Sequence, residues 1–186
     1  MRLKKDVIFS FHLMKNKISF SPSTNIVRDE NNELSYLPTD NTQIVFDSIV
    51  SNYLSGFRSF YIVGNYGTGK SSFLWALAKT INFKRNFFNY KNNLSKNVSK
   101  FETYLFVGEY SSFMNHIAEY VGIKEIKNVK PKDILNKFKS KLVNLKNQKK
   151  GFIIIVDEFG KFLEFASKNN SSEETYFIQQ FAEVFN

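Results

Sequence analysis

The hydrophobic positions along the chain follow two different spacings, and the changes between them divide the chain into strands and helices. Short, mostly apolar runs occur at 59–63 (SFYIV), 102–109 (ETYLFVGE) and 151–158 (GFIIIVDE). Runs of this kind are typical of strands buried in a parallel sheet. Apolar residues at helical spacing, with start and stop signals, predict helices over 41–55, 70–81, 111–122, 131–147, 159–168 and 172–185. The order β-α-β-α-α-β-α predicts a parallel sheet covered by helices on both faces.

The first forty residues differ from this pattern and are interpreted as an N-terminal arm. Short strands are expected near 7–11 and 17–20, followed by a polar segment that ends at Pro38. Pro38 followed by Thr-Asp-Asn indicates the start of a helix. We therefore divide the chain into an arm, 1–40, and an α/β core, 41–186.

A glycine-rich turn lies between the first apolar run and the helix that follows it. Its sequence, GNYGTGKS over residues 64–71, matches the pattern G-x-x-x-x-G-K-[ST] in full. The glycines let backbone N–H groups face a phosphate without an obstructing Cβ, and the following helix directs its positive dipole end to the same point. Lys70 is expected to reach the β- and γ-phosphates, and the Ser71 hydroxyl to ligate Mg²⁺. The predicted nucleotide-binding residues are Gly64, Asn65, Tyr66, Gly67, Thr68, Gly69, Lys70, Ser71 and the adjacent Ser72.

A second candidate for chemistry is the pair of carboxylates at the end of the most apolar run. Asp157 and Glu158 follow FIIIV, so they are expected at the carboxyl end of a parallel strand, where open α/β sheets bind ligands. Asp157 would hold Mg²⁺, and Glu158 would orient and polarise the water that attacks the γ-phosphate.

Together these motifs resemble those of P-loop NTPases, in the AAA+ and STAND-like group of ATPases that carry an additional catalytic glutamate. Walker A would be residues 64–71 and Walker B residues 152–158, and the resemblance covers roughly 40–186. The segment DEFGKFLEFA that begins at Asp157 is also similar to ATPases of bacterial phage-defence gene clusters. The resemblance implies a three-layer αβα fold, ATP and Mg²⁺ as cofactors, and Lys70 and Glu158 as catalytic residues.

A GTPase remains an alternative, because residues 157–160 (DEFG) also match D-x-x-G. Against it, the chain contains no N-K-x-D motif, which would read the guanine base. The long separation between Lys70 and Asp157 leaves room for a strand and helices, as the ATPase group requires. ATP is therefore the preferred nucleotide.

The resemblance also predicts an incomplete sheet. The family places its strands in the order 5-1-4-3-2, whereas the residues after Glu158 are predicted to form two helices and no fourth strand. We therefore expect a sheet that lacks strands 4 and 5, and a chain that is the N-terminal part of a larger ATPase. Hydrolysis would then depend on the missing C-terminal segment, on a partner or on self-association, with nucleotide binding without turnover as one alternative. In another alternative, a strand from the arm fills the gap.

Composition excludes several classes of protein and adds one candidate partner. Cysteine is absent, so no disulfide framework or thiolate metal site is expected. The only two histidines, His12 and His116, are widely separated, so no metal-ligand cluster is expected either. No segment approaches the ~20 apolar residues of a membrane span, and we expect a cytoplasmic protein. The net charge is +9, and 124–150 is rich in lysine, which favours nucleic acid as a partner. The alternative is a solvated helix face, because this segment lacks interleaved aromatic residues.

Overall fold

The computed structural model describes residues 23–82, 84–91, 98–125, 129–169 and 171–185, and the predicted strands near 7–11 and 17–20 lie outside them. In chain order the elements are α1 (Asp40–Leu54), α2 (Lys70–Ile81), β1 (Lys100–Val107), α3 (Phe113–Tyr120), α4 (Pro131–Asn147), β2 (Lys150–Asp157), α5 (Gly160–Lys168) and α6 (Ser172–Glu183). The predicted α/β class, the six predicted helices and the second and third predicted strands are confirmed.

The two strands form a parallel sheet. Lys100 lies opposite Lys150 at one end, and Val107 lies opposite Asp157 at the other. A parallel pair needs a crossover connection, and α3 and α4 provide it. Asp157 therefore ends its strand beside the end of β1, at the carboxyl edge of the sheet.

The predicted strand over 59–63 is wrong for the described structure. Residues 57–65 have no assigned secondary structure, and the sheet of the described residues contains β1 and β2 alone. Tyr61 and Val63 are 74% and 79% exposed, whereas the prediction placed this run in the interior. A strand needs a hydrogen-bonded neighbour, and none of the described residues provides one to this run.

Helices pack on both faces of the sheet, as predicted. One apolar cluster joins α1 and α2 to Phe101, Ile153 and Ile155 of the strands. A second joins α3, α4, α5 and α6 to Phe106 and Ile154. Successive side chains of a strand point to opposite faces, so the alternation of these strand residues separates the two layers of helices.

Local sequence signals explain where several helices begin. Thr39 caps α1 in a capping box with Thr42, and the hydroxyls of Ser112 and Ser171 accept backbone N–H bonds at the starts of α3 and α6. Pro131 occupies the first turn of α4, where its missing N–H has no cost. None of the helices in the described ranges has the length and apolar character needed to cross a membrane.

Candidate functional site

The predicted phosphate-binding turn is exposed and leads directly into α2. Gly67 and Gly69 have φ angles of 80° and 82°, in the left-handed region that glycine adopts without a steric penalty. Gly69 is the N-cap of α2 and provides no side-chain cap, so first-turn N–H groups of this helix remain available. This geometry suits an anion at the start of α2.

The Lys70 side chain folds back over the turn. Its Nζ donates hydrogen bonds of 2.7 Å to the carbonyl oxygens of both Gly64 and Asn65. The Thr68 hydroxyl donates to the same Asn65 carbonyl at 2.8 Å, which closes the turn. A Cβ at Gly64 would lie 3.0 Å from Thr68 Oγ1, so a side chain there would crowd the turn. The ammonium group is thus held over the turn by weak carbonyl acceptors, which a phosphate oxygen could replace.

The two serines after Lys70 have different surroundings. Ser72 Oγ lies 2.8 Å from Thr24 Oγ1, and this hydrogen bond ties the first turn of α2 to the arm. The Ser71 hydroxyl makes no hydrogen bond to the described residues and is half-buried. Ser71 is therefore the serine whose oxygen is available to a metal ion, and Ser72 is engaged in holding the arm.

Asp157 and Glu158 lie at the carboxyl end of β2, as the sequence predicts. Asp157 is buried, and its Oδ1 accepts the Glu158 N–H at 3.0 Å. Its carbonyl accepts the Gly108 N–H at 2.7 Å, so the last residue of β2 is tied to the end of β1. Glu158 has a φ of 55°, a left-handed conformation that costs a non-glycine residue about 1–3 kcal/mol and that clusters at functional sites.

Gly108 allows this conformation, and sequence reasoning did not find its role. A Cβ at Gly108 would lie 2.3 Å from the Glu158 carbonyl oxygen, closer than any side-chain carbon can approach. Only glycine fits at this position without moving the backbone of Glu158. The signal was the Gly-Glu pair that ends ETYLFVGE, the run adjacent in the sheet to FIIIVDE.

Charged groups surround Glu158. Lys161, the second residue of α5, forms an ion pair with the Glu158 carboxylate, and this contact raises the pKa of Lys161, with smaller contributions from Asp157 and Glu109. Glu109 in turn lies 2.9 Å from His116 Nε2. Lys161 is a second residue that sequence reasoning missed, and its signal is its spacing of three residues from Glu158 on the following helix.

One groove connects the turn to the end of β2. It has a volume of about 670 Å³, and Gly64, Lys70, Asp157 and Glu158 all line it. Its two long walls are the unpaired segment 58–63 and β2, and its remaining lining is mostly apolar. The structure thus brings Lys70 and both carboxylates to one cavity.

The other predicted site residues do not line this groove. They are Asn65, Tyr66, Gly67, Thr68, Gly69, Ser71 and Ser72. In the part of the chain that the structure describes, no three His, Cys, Asp or Glu side chains group as a metal cluster. The predicted magnesium ligands, one hydroxyl and one carboxylate, do not need such a cluster, because Mg²⁺ usually keeps several waters and phosphate oxygens as ligands. The hydroxyl and the carboxylate are therefore chemically suited to a magnesium–phosphate group, although Asp157 lines the groove and Ser71 does not.

Comparisons with protein-family models, with curated proteins and with solved structures find no match to this chain. The function is therefore argued from the residues and from the geometry of the groove.

Proposed function

We propose that the turn 64–71 binds Mg-ATP and that the carboxylates at the end of β2 support its hydrolysis. The observation that carries the proposal is the shared groove, which Lys70, Asp157 and Glu158 all line. A phosphate held at the start of α2 would extend toward a pair of carboxylates of the kind that magnesium and an attacking water require.

Each residue has a role that follows from its present contacts. Lys70 would exchange its two carbonyl acceptors for phosphate oxygens, which accept a charge-assisted hydrogen bond more strongly. The Ser71 hydroxyl and the Asp157 carboxylate would hold Mg²⁺, which supplies charge neutralisation at the β- and γ-phosphates. The Glu158 carboxylate would accept a proton from the water that attacks the γ-phosphate, once it has exchanged its ion pair with Lys161 for that water.

Turnover depends on what fills the groove. The resemblance to AAA+ and STAND-like ATPases implies a fourth strand between the segment before the turn and the strand that ends at Asp157. The groove separates 58–63 from β2, which supports the proposal that a further segment or a partner completes the site. The chain alone would then bind nucleotide and hydrolyse it slowly, because a sensor residue and an arginine finger, each worth several kcal/mol, would be contributed from outside.

Calorimetric titration with Mg-ATP tests the binding step. We expect Lys70→Ala to weaken binding at least about 100-fold, because it removes the charge that meets the phosphates. Lys168→Ala is the matched control, since Lys168 is an exposed lysine on α5 that does not line the groove. Equal affinities in the wild type and Lys70→Ala would overturn the proposal, and tighter binding of Mg-GTP than Mg-ATP would favour the GTPase alternative.

Phosphate release from the same samples tests the catalytic step. Glu158→Gln should keep the binding and lose the release, because it removes the proton acceptor while conserving the shape of the side chain. Binding with no release from any variant would instead favour the alternative of a nucleotide-binding module without turnover.

A further inference from the structure

The solvent face of α4 carries a straight line of lysines. Lys132, Lys139 and Lys146 are exposed and lie seven residues apart, so the helical repeat places them on one stripe. At 1.5 Å per residue the stripe is about 21 Å long, with roughly 10 Å between neighbouring lysines. The opposite face of α4 is buried through Ile134, Leu135, Phe138 and Leu145.

The line continues onto the amino edge of the sheet. Lys149 follows α4 after a single residue, Gln148, and Lys100 lies directly opposite Lys150 across the two strands. Like charges at opposite positions of a sheet destabilise it. Lys149 also has a φ of 55°, a left-handed conformation that is unfavourable for lysine. The isolated fold therefore bears a like-charge repulsion at this edge, and an anionic partner would relieve it.

These lysines are not neutralised within the described residues. Lys141 is the one lysine of α4 with an ion pair there, to Glu102 at 3.6 Å, and its Nζ also lies 4.0 Å from the centre of the Tyr120 ring. The stripe lysines and Lys100, Lys149 and Lys150 form no ion pair with a described carboxylate. On α5, by contrast, both Lys161 and Lys168 are paired with glutamates.

We propose that the basic stripe, defined as Lys132, Lys139 and Lys146 with Lys100 and Lys149 at its end, binds the phosphate backbone of duplex DNA. A run of cations about 21 Å long matches roughly six base pairs of duplex, in which phosphates recur every 3.4 Å along each strand. Neutralising those phosphates would release counterions and remove the repulsion between the lysines.

Duplex DNA fits this surface better than other polyanions do. The exposed aromatic residues of the described chain lie outside α4 and the amino edge, so the stripe has no platform on which single-stranded bases could stack. The major groove of B-form DNA admits an α-helix, whereas the corresponding groove of duplex RNA is deep and narrow. Val143 is the one large apolar side chain exposed on α4, too little to insert into a lipid surface.

This surface is separate from the nucleotide groove. No residue of α4 lines the groove, and none of the stripe lysines lines it, although Phe101 near the amino end of β1 does. DNA binding can therefore be measured without nucleotide, and its outcome does not depend on the proposed ATPase activity.

The test is the fluorescence anisotropy of a labelled duplex of about 20 base pairs, titrated with the full chain at several salt concentrations. The variant Lys132→Glu/Lys139→Glu/Lys146→Glu should bind at least about tenfold more weakly than the wild type. The slope of log affinity against log salt is negative. Its magnitude should be smaller by about three in the corresponding glutamine triple variant, since each lost phosphate contact removes about 0.9.

The matched control is Lys84→Glu/Lys91→Glu/Lys168→Glu, which changes the net charge equally at exposed lysines outside the stripe. It should lower the affinity less than about threefold, because a screened, distant charge acts weakly. Equal losses in the two glutamate variants would overturn the proposal, as would the absence of wild-type binding at low salt. Tighter binding to single-stranded DNA, to duplex RNA or to vesicles of anionic lipid would also overturn it. Circular dichroism of each variant, together with the uncharged glutamine variant, separates loss of the surface from loss of the fold.

Discussion

Residues 59–63 (SFYIV) and 152–156 (FIIIV) have similar apolar content, yet only the second stretch forms a strand. Residues 152–156 pair in register with β1, and Ile155 is 6% exposed. Residues 59–63 have no partner strand among the described residues and border the open groove instead. The comparison shows that an apolar run specifies the capacity for a strand, and that a hydrogen-bonded neighbour is needed to realise it.

The turn that follows 59–63 keeps its shape although that segment is unpaired. Its contacts are local: Lys70 holds the carbonyls of Gly64 and Asn65, and Thr68 holds that of Asn65 as well. The end of β2 depends instead on a long-range contact. Gly108, which follows β1, has no Cβ and so leaves room for the backbone of Glu158. One half of the site is thus determined by local sequence, and the other half by the register of the sheet.

The largest expected difference between the two stretches is in amide hydrogen exchange. Residues 152–156 should exchange at least about a thousandfold more slowly than residues 59–63, because ladder hydrogen bonds open only with the core. Exchange measured by mass spectrometry or NMR on the unliganded chain gives both rates in one experiment. Comparable protection of the two stretches would mean that 59–63 is paired in solution, and the comparison would fail.

The next effect is on stability. Ile155→Ala should lower the free energy of unfolding by about 3 kcal/mol, because it leaves a cavity in the packed face of β2. Val63→Ala should change it by less than about 0.5 kcal/mol, because that side chain is 79% exposed. Urea unfolding of both variants measures the difference. A cost at Val63 near that at Ile155 would show that the second wall of the groove is packed.

Gly108→Ala should cost about 2 kcal/mol of stability, because the new Cβ would force the backbone of Glu158 to move. Gly160→Ala is the control at the other side of Glu158. A Cβ at Gly160 meets nothing within 4 Å, and alanine favours the helix that begins there, so this change should be neutral or stabilising. If the two variants were equally stable by urea unfolding, the backbone conformation of Glu158 would not require glycine at position 108.

The smallest effect concerns the arm, which contacts the first turn of α2 through Thr24 and Ser72. A side-chain hydrogen bond from Arg28 lowers the pKa of Asp29, a buried carboxylate that also accepts the Asn25 N–H at 2.9 Å. A depressed folded-state pKa contributes stability above the unfolded value of about 3.9, and this stability is lost as the pH falls. Asp29→Asn should therefore cost about 1–2 kcal/mol at pH 7 and less near pH 2.

Urea unfolding across that pH range checks this dependence, with exposed Asp47→Asn as the matched change. A cost at Asp29 that does not vary with pH would contradict the assigned role of its charge. A cost at Asp47 equal to that at Asp29 would contradict it as well.

The sequence predicted the features whose causes are local. Helix bounds such as Lys70–Ile81 follow from periodicity and from end signals within a few residues, and Asp157 follows from the end of its own strand. The prediction at 59–63 was wrong because the sequence of an apolar run does not show whether a second strand lies beside it to accept its hydrogen bonds. Gly108 and Lys161 were missed because their contacts with Glu158 appear only when β1, β2 and α5 are brought together.

Hydrogen exchange with and without Mg-ATP tests the central claim, that the turn at the start of α2 binds the nucleotide. The account predicts slower exchange over 64–73 on addition of Mg-ATP, no change over α4, and no protection of the turn in Lys70→Ala. Protection would arise because N–H groups of the turn become hydrogen-bonded to phosphate. Unchanged exchange over 64–73 at saturating Mg-ATP, or equal protection in Lys70→Ala, would contradict the account.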